Sequence, residues 1–259
     1  LCSESLYKVR HGLWRCYLTK SLSPDELFHA LERPGEFLKT SRKAQVRRVG
    51  DWLVKESRGR LGLDPLKHTL RRERYRRAWR ASWRLYEAGI GVPRPIAFIE
   101  KGFGPLISGN IMVSEYLEAQ RDVEAFLRAL AQRGAGQDTL IFFLAQLAEA
   151  VNRLNAAGVY HADLSGKNIF TEDGRSFTFI DLDAIQLDVA YDDKRRLLNL
   201  VQLYDSFCDQ LSDVLLVPFI EKMLGNGHDP RVWMPRIRKG QEMRRLRTEA
   251  LRERRARKA

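Results

Sequence analysis

Cysteine is scarce in this chain. Cys2, Cys16 and Cys208 are odd in number and share no paired spacing. That excludes a disulfide framework and a cysteine-based structural zinc site, and it points to a reducing, cytoplasmic compartment. No apolar run approaches the roughly 20 residues that a membrane-spanning helix needs. A secretory leader is not expected either: the opening LCSESLYKVRHGLWRC carries charges where an apolar core is required. The chain does not open on Met, so it reads as beginning inside a longer protein. Internal repeats and low-complexity linkers are missing. What is present is a globular mixture, 44% hydrophobic and 30% charged, and 259 residues suit one large domain or two lobes.

Negative charge is also in short supply, and unevenly so. The formal net charge is +12. Residues 42–80 hold 14 Lys/Arg against 4 Asp/Glu, and residues 231–259 hold 12 against 3, so these stretches carry +10 and +9 and leave −7 on the rest. Two basic surfaces of this kind suit an anionic partner: nucleotide, nucleic acid, anionic lipid or a phosphorylated substrate. No nucleic-acid recognition motif accompanies the charge, so nucleic acid is not the expected partner.

Residues 158–183, GVYHADLSGKNIFTEDGRSFTFIDLD, organise the chain. His161-Ala162-Asp163 is followed at five residues by Asn168, then by an acidic turn and an apolar strand ending in Asp181. A loop carboxylate such as Asp163 can accept the proton of an attacking hydroxyl. The Asn168 amide oxygen and the Asp181 carboxylate can share the Mg²⁺ that neutralises the phosphates of ATP. Residues 165–170 run from loop into strand, Glu172-Asp173-Gly174 is a hairpin-type turn, and Phe177-Thr178-Phe179-Ile180 alternates as a half-buried strand does.

Elsewhere, residues 6–18 read as one or two strands around His11-Gly12. Ser23-Pro24-Asp25-Glu26 starts a helix, with Ser as N-cap and Glu three residues on. Residues 36–57 read as strands in tight loops, and Lys55 sits on the apolar strand Trp52-Leu53-Val54-Lys55, where its ammonium can bind the α- and β-phosphates of ATP. The preceding loop, Lys39-Thr40-Ser41-Arg42-Lys43, has no glycine, so side-chain charge there replaces the backbone amides of a Gly-rich loop. A long helix runs from Asp64-Pro65 to a C-cap at Gly89, with Tyr75, Trp79, Trp83 and Tyr86 as its core-facing stripe. A hairpin follows, turning at Gly102-Phe103-Gly104. Glu115-Tyr116-Leu117 leaves it as a linker, a hinge whose backbone at Glu115 and Leu117 can bond the adenine edge. Beyond it the chain is helical. Leu140, Phe143, Leu144, Leu147, Val151 and Leu154 mark a buried helix ending at Gly158, and residues 192–211 and 212–224 form two more. The last segment places Met243, Leu246, Ala250 and Leu251 among arginines, a helix suited to an anionic membrane surface or to packing on the C-terminal lobe.

Taken together, Leu53-Val54-Lys55, the run from Glu87 through Ala88, Gly89, Ile90, Gly91, Val92 and Pro93 to Arg94-Pro95, the HADLSGKN loop and Ile180-Asp181-Leu182-Asp183 resemble the bacterial lipopolysaccharide core kinases, the Kdo/heptose kinases of the protein-kinase-like superfamily. The loop is also similar to that of RIO-type atypical protein kinases and, more distantly, of aminoglycoside phosphotransferases. The resemblance implies an α+β, two-lobed protein-kinase-like fold. Residues 1–115 would form a small antiparallel-sheet N-lobe and residues 116–259 a mainly helical C-lobe. It further implies Asp163 as catalytic base, Asn168 and Asp181 as Mg²⁺ ligands, Lys55 as the ATP phosphate grip, and a heptose or Kdo acceptor at the cytoplasmic face of the inner membrane. The alternatives are a RIO-type protein kinase and a nucleotide-binding pseudokinase. One departure stands out: these kinases pair the lysine with a Glu on the following helix, and Arg77-Ala78-Trp79-Arg80 has Ala78 at that place. Glu73 and Glu56 are the candidate substitutes.

Overall fold

Short alternating stretches, each closed by a turn residue, build the first half of the chain, and longer helical ones build the second. The computed structural model describes residues 6–41, 44–57, 64–103 and 106–257, and the side chains at 64–74, 103, 106 and 255 fall outside that description. Two compact units result, Leu1–Glu118 and Ala119–Ala259.

The first unit is a seven-stranded antiparallel sheet. Its strands are β1 (Leu6–His11), β2 (Trp14–Thr19), β3 (Glu36–Thr40), β4 (Ala44–Val49), β5 (Trp52–Ser57), β6 (Pro95–Phe103) and β7 (Leu106–Glu115), in the spatial order β1-β2-β6-β7-β5-β4-β3. The N-terminal hairpin therefore extends the sheet beyond β6 instead of standing apart. Two helices complete the unit, α1 (Pro24–Glu32) and α2 (Asp64–Glu87). The expected capping box opens α1, with the Ser23 hydroxyl accepting from the Glu26 amide and the Glu26 carboxylate accepting from the Ser23 amide. Gly50 turns β4 into β5 at φ +57°, a conformation costly for any side chain.

Strand alternation gives the sheet two apolar faces. Cys16, Leu18, Val54, Ala97, Ile99, Ile111 and Val113 pack with Leu27 and Leu31 of α1. On the other face Phe98, with Tyr17 and Met112, packs against Trp79 and Trp83 of α2. Two cross-strand registers, Phe98 opposite Met112 and Met112 opposite Lys55, place Lys55 on this second face. The expected aromatic stripe holds at Trp79 and Trp83, whereas Tyr86 in the last turn is exposed. The tip of the β6–β7 hairpin, including Gly104, lies outside the described residues.

A buried charge network joins α2 to the sheet. Arg76 donates two hydrogen bonds of 2.8 Å to the two carboxylate oxygens of Glu100 and a third to the Tyr17 hydroxyl at 2.9 Å. Glu100 is only 1% exposed, and Arg15 lies 4.0 Å from it. The basic run containing Arg76 reads in sequence as a solvated face, yet this arginine is turned to the sheet and only 20% exposed.

The second unit begins with β8 (Arg121–Asp122), α3 (Val123–Gln132) and α4 (Gln137–Ala156). Four short strands follow or interrupt the helices: β9 (Val159–His161), β10 (Ile169–Thr171), β11 (Thr178–Phe179) and β12 (Ile185–Leu187). They pair as β11-β10-β8 and β12-β9. Helices α5 (Asp193–Phe207), α6 (Asp213–Leu224) and α7 (Pro230–Ala256) complete it. The apolar spacing in α4 resolves as expected at Phe143, Leu144, Leu147, Val151 and Leu154, which are buried, whereas Leu140 in the first turn is only partly so. Helix α7 divides. Trp233, Met234 and Ile237 are buried, and Gly240 lies so close to α5 that a Cβ there would meet Val201 Cγ2 at 2.5 Å. Met243, Leu246 and Leu251, further along, are exposed.

Candidate active site

Gly158, at φ +71°, turns the end of α4 into β9 and delivers His161 to the interior. The His161 ring is fully buried. Its Nδ1 accepts from the Asp163 amide at 3.2 Å, which requires Nδ1 to be unprotonated; Nε2 then donates to the Ile180 carbonyl at 2.9 Å. One neutral imidazole thus ties the loop bearing Asp163 to the strand end bearing Asp181. Burial, which penalises the charged ring, holds its pKa below the usual histidine value, outweighing the Ile180 carbonyl and the nearby carboxylates. With the folded pKa depressed, the stability His161 contributes is complete above the unfolded value of about 6.5 and is lost as pH falls below it, because the unfolded chain takes up the proton first. His161→Gln is expected to cost about 1–3 kcal/mol at pH 7.5. The gap to wild type should narrow toward pH 5.5 in urea unfolding, and a pH-independent gap would contradict the neutral tautomer.

The loop is held from beneath by α5. Asn199 Nδ2 donates to the His161 carbonyl at 2.8 Å, and Gln202 Nε2 donates to the Ala162 carbonyl at 2.7 Å. Gln202 Oε1 accepts from the Leu164 amide at 2.8 Å, and the Ser206 hydroxyl accepts from the Gly166 amide at 2.9 Å. Positions 199, 202 and 206 share one face of a helix, so a polar stripe on a buried surface satisfies the backbone of a loop without secondary-structure partners. Gly166 must be glycine for steric reasons, since a Cβ would meet Glu124 Cγ at 2.7 Å.

Within this frame Asp163 is gripped on one side. Asn168 Nδ2 donates to the Asp163 carbonyl at 2.8 Å and to its Oδ2 at 3.1 Å. That commits the nitrogen of Asn168 and turns its Oδ1 to other uses. The Asn168 carbonyl accepts from the Ile180 amide at 2.9 Å, so Asn168 sits opposite the residue preceding Asp181. Asp181 bends the chain at φ +55°, a left-handed conformation that Asp tolerates better than most residues. An amide oxygen and a carboxylate are donors of the kind Mg²⁺ takes, a hard cation that accepts one or two protein oxygens and completes its shell with phosphate and water. Among the described residues no cluster of three or more His, Cys, Asp or Glu could hold a metal ion.

The other Asp163 oxygen faces a residue that the sequence reading passed over. Arg244, on α7, brings Nη2 to 3.9 Å from Asp163 Oδ1, and its Nε lies 3.2 Å from Asp205 Oδ2. Arg245 beside it bonds Asp205 at 2.7 Å and Asp209 at 2.8 Å. The loop's own lysine, Lys167, is directed elsewhere, 4.0 Å from Glu124.

The remaining predicted residues belong to the first unit. Lys55 is half-buried on β5, on the α2 face of the sheet. Ala78 is buried at 2% exposure, so no acid stands at that place on α2; the side chain of Glu73 lies outside the described residues. Of the candidate phosphate loop, Arg42 and Lys43 lie outside them too. The Ser41 hydroxyl before them accepts from the Ala44 amide at 3.0 Å. In the linker, the Glu115 amide donates to the Arg94 carbonyl at 2.9 Å and the Tyr116 amide to the Asp51 carbonyl at 2.8 Å. Arg48 clamps the same segment, pairing with Glu118 at 2.8 Å and stacking 4.4 Å from the Tyr116 ring. Leu117 between them is half-buried.

The polar stripe on α5 and the arginines of α7 are the parts of the site that sequence reasoning missed. The stripe has a signal, Asn199, Gln202 and Ser206 at helical spacing among apolar residues; Arg244 has none, being one arginine among many.

Comparison with known proteins bears on the family and the fold. Residues 29–215 match the lipopolysaccharide kinase (Kdo/WaaP) family. A curated relative, the lipopolysaccharide core heptose(I) kinase WaaP of Pseudomonas aeruginosa, is 28% identical over 142 residues, 52% of this chain and 53% of the relative. The chain therefore matches about half the length of that protein. A solved structure of WaaP in complex with acyl carrier protein superposes with a TM-score of 0.60 and 20% identity, covering 90% of this chain and 94% of that one; at such identity the likeness speaks for the fold. The matched stretch runs from α1 to α6 and includes the HADLSGKN loop, and on that match the chain belongs to the lipopolysaccharide kinase (Kdo/WaaP) family.

Proposed function

We propose that the chain is an ATP-dependent phosphotransferase whose acceptor is a sugar hydroxyl, heptose or Kdo, of the lipopolysaccharide inner core. The observation that carries this reading is the state of Asp163: one oxygen held by Asn168, the other open to an acceptor, on a loop fixed by His161 and α5. A carboxylate so held can orient the hydroxyl and take its proton as the oxygen attacks the γ-phosphorus of ATP and ADP departs. Asn168 Oδ1 and Asp181 are the residues that would hold Mg²⁺, whose charge neutralises the phosphates when bound. Lys55 grips the α- and β-phosphates, and the linker at Glu115 and Leu117 receives the adenine edge. The exposed Met243, Leu246 and Leu251, interleaved with arginines on α7, suit an anionic membrane surface at the cytoplasmic side. Among the described residues no helix is long and apolar enough to cross a membrane.

Incubation with Mg-ATP and lipopolysaccharide core oligosaccharides, followed by mass spectrometry, tests the reading. The expected product carries one phosphate on heptose or Kdo. Phosphate on protein alone would favour the RIO-type alternative. Nucleotide binding without turnover would favour a pseudokinase, the reading that buried Ala78 supports.

A further inference from the structure

Helix α7 begins beyond residue 215, outside the stretch that matches the family, yet it reaches the candidate base. Its first half is seated by Trp233, Met234, Ile237 and Gly240. Its second half is anchored to α5 by Arg245, which spans Asp205 and Asp209, and by Gln241, which donates to Asp205 at 3.2 Å. That anchoring leaves Arg244 in a different position from its neighbour. Its Nε pairs with Asp205, while the far end of the guanidinium stops 3.9 Å short of Asp163 Oδ1. This separation is too long for a hydrogen bond. It is short enough that an oxygen hydrogen-bonded to Oδ1 at about 2.7 Å can also receive Nη2. Both side chains are open to solvent, 37% for Arg244 and 51% for Asp163.

We propose that Arg244 is a further catalytic residue, a cation that contacts the reacting oxygen at Asp163 and offsets charge on the phosphoryl group in transit. The inference rests on the phosphotransferase reading above. The chemistry calls for such a group, because a phosphoryl group in transfer spreads negative charge over its oxygens and catalysis consists mostly of positioning and neutralising it. In the loop itself Ser165 stands two residues after Asp163, and Lys167, 75% exposed, lies 4.0 Å from Glu124 with no ion pair to Asp163. A fixed guanidinium with donors to spare meets the need at little reorganisation cost. Nor is Arg244 required as an anchor, because Arg245 makes the stronger contacts to α5.

Steady-state kinetics on Mg-ATP and core oligosaccharide test this. Arg244→Gln is expected to lower kcat about 10²-fold, a partly exposed counterpart of the larger effects of buried arginine fingers. The KM for ATP and the melting temperature should stay near wild type, Arg244→Lys should recover part of the loss, and Arg247→Gln, on the exposed side, should be silent. Arg244→Gln at wild-type kcat or faster would overturn the proposal. So would an equal loss in Arg245→Gln, which would make both residues anchors. Should wild type phosphorylate no core sugar, the acceptor reading fails alone, because Arg244→Gln must still slow the transfer to water, read as phosphate release from Mg-ATP. No turnover of ATP by wild type under any condition overturns both.

Discussion

Asp163→Asn is expected to lower kcat by about 10³-fold, within the range that general-base catalysis supplies, while leaving the affinity for Mg-ATP nearly unchanged. The substitution is nearly isosteric. Its side-chain oxygen can still accept from Asn168 Nδ2, now 3.1 Å from Asp163 Oδ2, and the backbone bonds of the loop to His161, Asn168 and Gln202 do not involve the lost charge. What disappears is the capacity to take a proton and the negative charge that faces Arg244. The loss should therefore fall on kcat and kcat/KM together, the signature of an interaction made in the transition state. Half-buried Asp163 is not part of the core, so the melting temperature should move little. Turnover within tenfold of wild type, with phosphate on the same sugar, would remove Asp163 from the role of base.

The second large effect concerns stability. Glu100→Ala is expected to destabilise the first unit by about 3–5 kcal/mol, because it leaves Arg76 in a largely closed setting without its carboxylate. Breaking such a pair costs more than the pair contributes when intact, since the remaining charge is shielded from water and no longer faces a carboxylate. Arg76 donates twice to Glu100 and once to Tyr17, and Arg15 is drawn to the same carboxylate. Four of the five tryptophans lie in residues 1–118, and Trp79 and Trp83 pack on the face that this network closes. Urea unfolding followed by tryptophan emission therefore reports on the right unit. Arg76→Met combined with Glu100→Leu should recover most of the loss by replacing the pair with apolar contact. A double substitution as damaging as the single one would show that the network does more than neutralise its own charges.

These two cases differ in how far they can be read from the chain. Asp163 and Asn168 are five residues apart, and the loop that joins them can close only a few ways, so spacing carries the geometry. The same is true of the Ser23–Glu26 capping box and of the glycine turns at Gly50 and Gly158, where a local conformational requirement leaves a residue-level mark. Glu100 and Arg76 have no such mark. Glu100 is one carboxylate in a strand and Arg76 one cation in a basic run, and their pairing depends on how a helix lies across a sheet.

The same division runs through the candidate site. Local order along the chain was enough to specify the close pairing of Asp163 with Asn168, the alternating strands, the buried stripe of α4 and the family, because each rests on contacts within a few residues or on a periodicity of one element. Folding in three dimensions was needed to bring Asn199, Gln202 and Ser206 under a loop some 40 positions away, and to carry Arg244 to Asp163 across 81. Long-range electrostatic pairing leaves no periodic trace, since any arginine on the basic helix has the same chemistry until packing on α5 decides which one faces the carboxylate.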